Sequence, residues 1–114
     1  MNITIKTIPA FDRNVYKYMS KEAFEDFLNF IAENPNKGQS IPGTGGVRKV
    51  RWENGINNKV KSGGARILYH YSKDVLILLI TLYGKSKKEN ISDNERNELK
   101  QTIPLLVAKY IGEL

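Results

Sequence analysis

The chain has 114 residues, 40% of them hydrophobic and none of them cysteine, with a formal net charge of +6. That length suits one domain, 1–114, with an ordinary core; the lack of cysteine excludes disulfides and thiolate metal sites and agrees with a reducing, cytoplasmic setting. The first residues do not follow the basic-then-apolar order of a secretory signal, and the longest apolar run, Val75 to Tyr83, is about half of what a membrane span needs, so no membrane partner is expected.

Ile3, Ile5 and Ile8 alternate with polar residues and predict a short first strand that Pro9 closes, with a brief helical turn through Tyr18 after it. Ser20 is a suitable N-cap for a firmer helix. Its Phe24, Phe27, Leu28 and Ile31 recur at the spacing of one buried face, and Asn34-Pro35 stops it. Residues 35 to 46 include Pro35, Gly38, Pro42, Gly43, Gly45 and Gly46, a loop too rich in turn formers for regular structure and therefore in need of something to hold it. Strands are expected at about 47–52, 64–71 and 75–83. Ser72-Lys73-Asp74 is short enough for a hairpin, whereas Asn54 to Gly64 forms a longer loop carrying Lys59 and Lys61. Ser92 and Glu95 form a capping box for a last helix with Leu99, Ile103, Leu106 and Tyr110 on its apolar side. Pro104 should kink that helix, because it has no N–H for the Lys100 carbonyl. The expected fold class is α+β, in the order β-α-α-β-β-β-α, with a twisted antiparallel sheet packed on helices.

The charge is unevenly placed. Residues 37–88 hold eleven Lys or Arg against Glu53 and Asp74, a net +9, while the flanks carry −1 and −2. A single-sign field on one sheet is the footprint expected for a phosphate-rich partner. One histidine and no cysteine leave no Cys-His pair and no multi-histidine metal cage, and the acidic residues of the middle are too scattered for a two-metal nuclease. Cleavage of RNA fits what remains, because the 2′-hydroxyl is an internal nucleophile. The protein must only accept its proton, stabilise the crowded phosphate and assist the leaving oxygen, tasks within reach of Arg, Lys and Tyr. No metal or cofactor is called for.

The segments GTGGVRKVRW at 43–52, RILY at 66–69 and LYGK at 82–85 occur in this order after two helices and before a third. In this the chain resembles the RelE/HigB-type toxins of bacterial toxin-antitoxin modules, the HigB branch most closely, over nearly its whole length. The resemblance implies a small microbial-RNase-like fold whose members cut mRNA in the ribosomal A site. It implies as partners the ribosome, mRNA and a cognate antitoxin, in the HigB branch usually a HigA-like helix-turn-helix protein. Carried over residue by residue, the basic pair after the glycine-rich loop falls on Lys49 and Arg51, which share strand parity. The arginine facing the scissile phosphate falls on Arg66, and the basic residue after the last strand on Lys85 or Lys87. RelE proper has a tyrosine several residues further on, where this chain has Ile91-Ser92; Tyr83 or Tyr69 could substitute, and Tyr83 is the catalytic candidate. Arg48, Lys59, Lys61 and Lys88 complete the expected RNA and ribosome contacts.

Each residue also has a plainer reading. The charges at 48–51 could be a solvated strand face that discourages sheet aggregation, and Arg66 could belong to a structural ion pair with Asp74 or Glu53. His70 shares the parity of Arg66, yet a lone histidine in a strand is usually structural. The glycines at 43–46 lack the G-K-[ST] and following helix of a phosphate-binding loop. Two other functions remain open: a ParE-like toxin that poisons gyrase without nuclease activity, and a non-enzymatic nucleic-acid-binding module, for which the charge alone would suffice.

Overall fold

The computed structural model describes residues 2–55, 64–84 and 90–114. Strand β1 (Thr4–Thr7) leads into helix α1 (Pro9–Tyr18) and helix α2 (Lys21–Glu33). The two-residue strand β2 (Gln39–Ser40) and the longer strands β3 (Val47–Trp52), β4 (Ala65–Ser72) and β5 (Leu76–Gly84) follow, and helix α3 (Asp93–Gly112) comes last. They form one five-stranded sheet in the order β1-β5-β4-β3-β2. The class is α+β.

Three expectations need correction. The sheet is mixed, since β1 runs parallel to β5, with Thr4 to Thr7 opposite Leu76 to Leu79; the helices between them supply the crossover that a parallel pair requires. The element order gains β2, which pairs through Gln39–Lys49 and Ser40–Arg48. The brief turn before Tyr18 is a ten-residue helix. Pro9 closes the strand and also opens this helix, because its missing N–H and fixed φ cost nothing in a first helical turn. Phe11 and Val15, one turn apart, become its buried face.

The other elements start and stop by the chemistry anticipated for them. Ser20 Oγ accepts from Ala23 N at 3.1 Å, and Asn34 caps the far end of α2. At α3, Glu95 N donates to Ser92 Oγ at 3.2 Å while Ser92 N donates to Glu95 Oε1 at 2.8 Å. That helix runs through Pro104 without interruption. Lys73 and Asp74 stand at φ 54 and 61, so the β4–β5 hairpin turns through two left-handed residues, as a type I′ turn requires.

Helices cover both faces of the sheet. Phe11, Val15, Met19, Phe27 and Ile31 of α1 and α2 pack on Ile67, Tyr69, Ile77, Leu79 and Leu82. Ile103 and Tyr110 of α3 pack on Val47, Leu68, Leu76, Leu78, Ile80 and Tyr83. β4 and β5 are therefore buried on both sides and read as nearly continuous apolar runs. Among the described residues, no helix is long and apolar enough to cross a membrane.

Candidate active site

Side chains alternate between faces along a strand, so the register between strands decides which cations meet. On β3, Val47, Lys49 and Arg51 stand opposite His70, Leu68 and Arg66 of β4 and share the α3 face. Arg48, Val50 and Trp52 take the other face, toward α1 and α2.

β5 keeps this order only through a bulge. Leu68 pairs with Thr81, but Tyr69 pairs with Leu79, leaving Ile80 as an extra residue. The insertion shifts the alternation by one position. Tyr83 consequently joins Leu78 and Ile80 beneath α3, whereas strict alternation would have put it with Ile77 and Leu79 on the opposite face.

Arg51, Arg66 and Tyr83 thus stand directly opposite one another across three adjacent strands. Strands lie about 4.8 Å apart, so the row measures roughly 10 Å from end to end. Arg66 is fully buried and Tyr83 is 5% exposed, while Arg51 is open to solvent and Lys49, one row along, is half-buried. The backbone and α3 hold these groups. Arg66 Nη1 donates to Gly64 O at 3.3 Å, and Lys49 Nζ donates to Asn90 Oδ1 at 3.0 Å, joining β3 to the approach to α3. Arg51 also borders a hollow of about 460 Å³ with Glu22, Asp26, Trp52 and Glu53, where the N-terminal part of α2 meets the sheet edge.

The glycine-rich loop is held from several directions. Thr44, fully buried, donates through Oγ1 to Ile41 O at 2.7 Å and accepts from Val47 N at 3.0 Å. The Tyr69 hydroxyl accepts from Gly38 N at 2.9 Å and donates to Pro35 O at 2.8 Å. Burial raises that hydroxyl's pKa above the ordinary tyrosine value, with the Gly38 N–H and Arg48 working the other way. Arg48 Nη1 donates to Gly38 O at 2.8 Å and to Asn36 O at 3.2 Å. His70 Nδ1 lies 2.9 Å from Gly46 O, an acceptor that requires the proton on Nδ1. Arg96 reaches from α3 to Pro42 O at 3.1 Å, and Gly45 lies against Lys100.

The sequence-derived candidates accordingly divide. Lys49, Arg51, Arg66 and Tyr83 share a face and adjoin one another. Arg48 and Tyr69 belong to the opposite face and stitch the loop. Lys59, Lys61, Lys85, Lys87 and Lys88 lie outside the described residues. Asn90 and Thr81, beside Lys49 and Tyr83, were not singled out by the sequence, because neither carries a charge or a motif. Among the described residues, no three or more His, Asp or Glu side chains are grouped as metal ligands.

Between α3, β5 and the start of α1 lies a groove of about 520 Å³ that Tyr83 also lines. Ile80, Tyr83, Ile91, Leu99 and Leu106 give it apolar walls, and Glu98 stands at its rim. No protein-family model matches the chain.

Proposed function

We propose that the protein is a ribosome-dependent mRNA endonuclease of the RelE/HigB type, with a RelE-like fold, acting by metal-independent attack of the 2′-hydroxyl on the adjacent phosphate. The observation that carries this reading is the row Arg51–Arg66–Tyr83 with Lys49 beside it. Two guanidinium-bearing residues directly opposite on neighbouring strands repel each other. An anion lying over both turns that repulsion into joint attraction, most strongly when it gains charge. A phosphate under attack does so, and the Arg66 guanidinium, already held in place, stabilises it without reorganisation. Tyr83 supplies an O–H at the end of the row and Lys49 an ammonium one row away, two groups suited to exchanging protons with the attacking and leaving oxygens. Attack by the 2′-oxygen breaks the bond to the 5′-oxygen, leaving a 2′,3′-cyclic phosphate on one fragment and a 5′-hydroxyl on the other.

The wider placement agrees. Trp52, Gly64 and Gly84, where β3 and β5 end and β4 begins, bring the chain in and out at the row's end of the sheet. The lysines at 59, 61, 85, 87 and 88 belong to the segments attached there. Under this reading a neutralising antitoxin of the HigA-like type is the natural partner. Purified protein added to ribosomes programmed with a defined mRNA, followed by mapping of the ends, tests the proposal. Cleavage within the A-site codon, leaving a cyclic phosphate and absent on free mRNA, is expected. An intact message together with inhibition of gyrase would favour the ParE-like reading, and binding of RNA without either activity the binding-module reading.

A further inference from the structure

The glycine-rich loop is firmly supported, yet the row makes no use of it. Gly43, Gly45 and Gly46 have φ of 79, 77 and 103, whereas Thr44 between the first two keeps a negative φ. Alternation of this kind turns successive N–H groups toward one side and builds a concavity for an anion. Thr44 Oγ1 fixes the loop from within through Ile41 O and Val47 N. The N–H groups of 43–46 stay unspent, since among the described residues none of them donates to a protein acceptor. The three glycines are exposed, and nothing among the described residues lies within 4 Å of where a Cβ of Gly43 would stand.

Cations reach the loop from α3. Arg96 Nη1 donates to Pro42 O at 3.1 Å, and the Cβ position of Gly45 lies 3.5 Å from Lys100 Cα. Arg96 and Lys100 are one helical turn apart, a spacing at which like charges repel, and an anion between them removes the repulsion. Among the described residues neither pairs with a carboxylate, and the buried Nε of Arg96 has no acceptor. Glu95 and Glu98 instead border the groove beside β5. The helix thus gives cations to the loop and carboxylates to its other side.

The loop also lies in line with the row. It runs into β3 at Val47, and Lys49 and Arg51 follow at alternate positions on the α3 face. Gly46 stands about 17 Å from Arg51 at ~3.4 Å per residue of strand, with Lys49 in between. A strand of regularly spaced negative charges can therefore meet Arg51, Lys49 and the loop in turn.

We infer that the loop 43–46, with Arg96 and Lys100, is a phosphate-binding site that holds a phosphodiester of the RNA strand a few nucleotides from the bond cut in the row. The loop N–H groups donate to the phosphate oxygens, while the guanidinium and ammonium balance the charge. Contacts of this kind read no base, so the site holds and orients the strand whatever its sequence. That the strand is a substrate rests on the endonuclease reading; the capture of a phosphodiester does not.

The test follows the amide NMR signals of the isotope-labelled whole protein during titration with 2′-O-methyl hexauridylate, which has no 2′-hydroxyl to attack its own phosphates. Saturable shifts of the amides of 43–46 are expected, and inorganic phosphate should move the same amides at higher concentration. Affinity for the oligonucleotide should fall about tenfold or more in Arg96→Gln, which also loses the bond to Pro42 O. It should fall as much in Lys100→Glu, whose side chain makes no bond among the described residues and whose replacement leaves the loop supports intact. Loss of the phosphate contact should also flatten the plot of log affinity against log salt by about 0.7. Lys17→Glu, at an exposed position of α1, should bind within about twofold of wild type. No shift at 43–46, unchanged affinity in both folded variants, or an equal loss in Lys17→Glu would overturn the inference. Shifts with inorganic phosphate that the oligonucleotide does not reproduce would overturn it in favour of a free anion. Oligonucleotide binding at the loop by a protein that cuts no mRNA on ribosomes would uphold the inference and sink the endonuclease reading. Cleavage by a protein whose loop amides ignore the oligonucleotide would do the reverse.

Discussion

Replacement of Arg66 separates catalytic from structural roles, provided that two variants are compared. Arg66 is fully buried in the centre of the row, so Arg66→Ala removes both a guanidinium and the methylenes that carry it. The Cγ and Cδ methylenes alone contribute about 1.5 kcal/mol of burial at ~0.8 kcal/mol each, and any residual cavity adds to this. A loss of melting temperature of several degrees is therefore expected from Arg66→Ala, whatever the guanidinium does. Arg66→Met keeps the stem and removes only the charge and its hydrogen bonds, including the one to Gly64 O. It should recover most of that stability, helped by the removal of one partner from a repelling pair. If the guanidinium stabilises the phosphate in the transition state, both variants should cleave ribosome-bound mRNA roughly 10² to 10³ times more slowly, as expected for loss of one donor to a developing oxyanion. Melting curves and single-turnover cleavage must come from the same preparation, since unfolded protein is also inactive. Near-wild-type cleavage by folded Arg66→Met would refute the assignment.

The loop supports carry further expectations. A Cβ at Gly38 would lie 2.7 Å from Tyr69 Cε1 and 3.0 Å from Arg48 Cβ, so Gly38→Ala should destabilise by about 1–3 kcal/mol in urea titrations. With its hydroxyl pKa raised by burial, Tyr69 contributes stability that is complete below the ordinary value of 10.0 and lost as pH rises through the folded-state pKa. Unfolding midpoints should therefore hold from neutral pH to that value and then fall; Tyr69→Phe should lessen the alkaline fall yet cost about 1–3 kcal/mol at neutral pH, because the buried Gly38 N–H loses its acceptor. Lys73→Asn with Asp74→Gly places residues suited to positive φ in the hairpin turn and should raise stability by about 1 kcal/mol, read from the same titrations. His70→Gln should leave mRNA cleavage within about tenfold of wild type, since its ring is bonded to the Gly46 carbonyl; a loss beyond about a hundredfold in folded protein would return the histidine to proton transfer.

How much of this was legible in the sequence depended on how local the signal was. The boundaries of β3, β4 and β5 and the caps of α2 and α3 follow from short patterns, and so does the shared face of Lys49 and Arg51; Arg66 joins it only through the register between β3 and β4. The parallel β1–β5 pair is a contact between segments some seventy residues apart, which no local pattern encodes. Pro9 reads locally as a strand breaker, although the same lack of an N–H makes it a helix starter. Tyr69 and Tyr83 looked equivalent as hydroxyl donors. Only the register separates them, because β4 and β5 are buried on both faces and their sequences show no polar alternation from which a face could be read.

The extra residue in β5 makes chain length, more than residue identity, the variable that aims Tyr83. Deleting Ile80 would bring Leu79 and Thr81 into regular succession and leave Tyr83 opposite Arg66, at the expense of one buried side chain. Removing or adding a single residue between Thr81 and Tyr83 would instead turn the tyrosine toward α1 and α2, with every site residue still present in the sequence. A relative of this protein could thus keep the whole set of cations and its tyrosine and yet have dismantled the row by a one-codon change. Comparison of such relatives by residue identity would miss the loss; counting residues between the bulge and the tyrosine would reveal it.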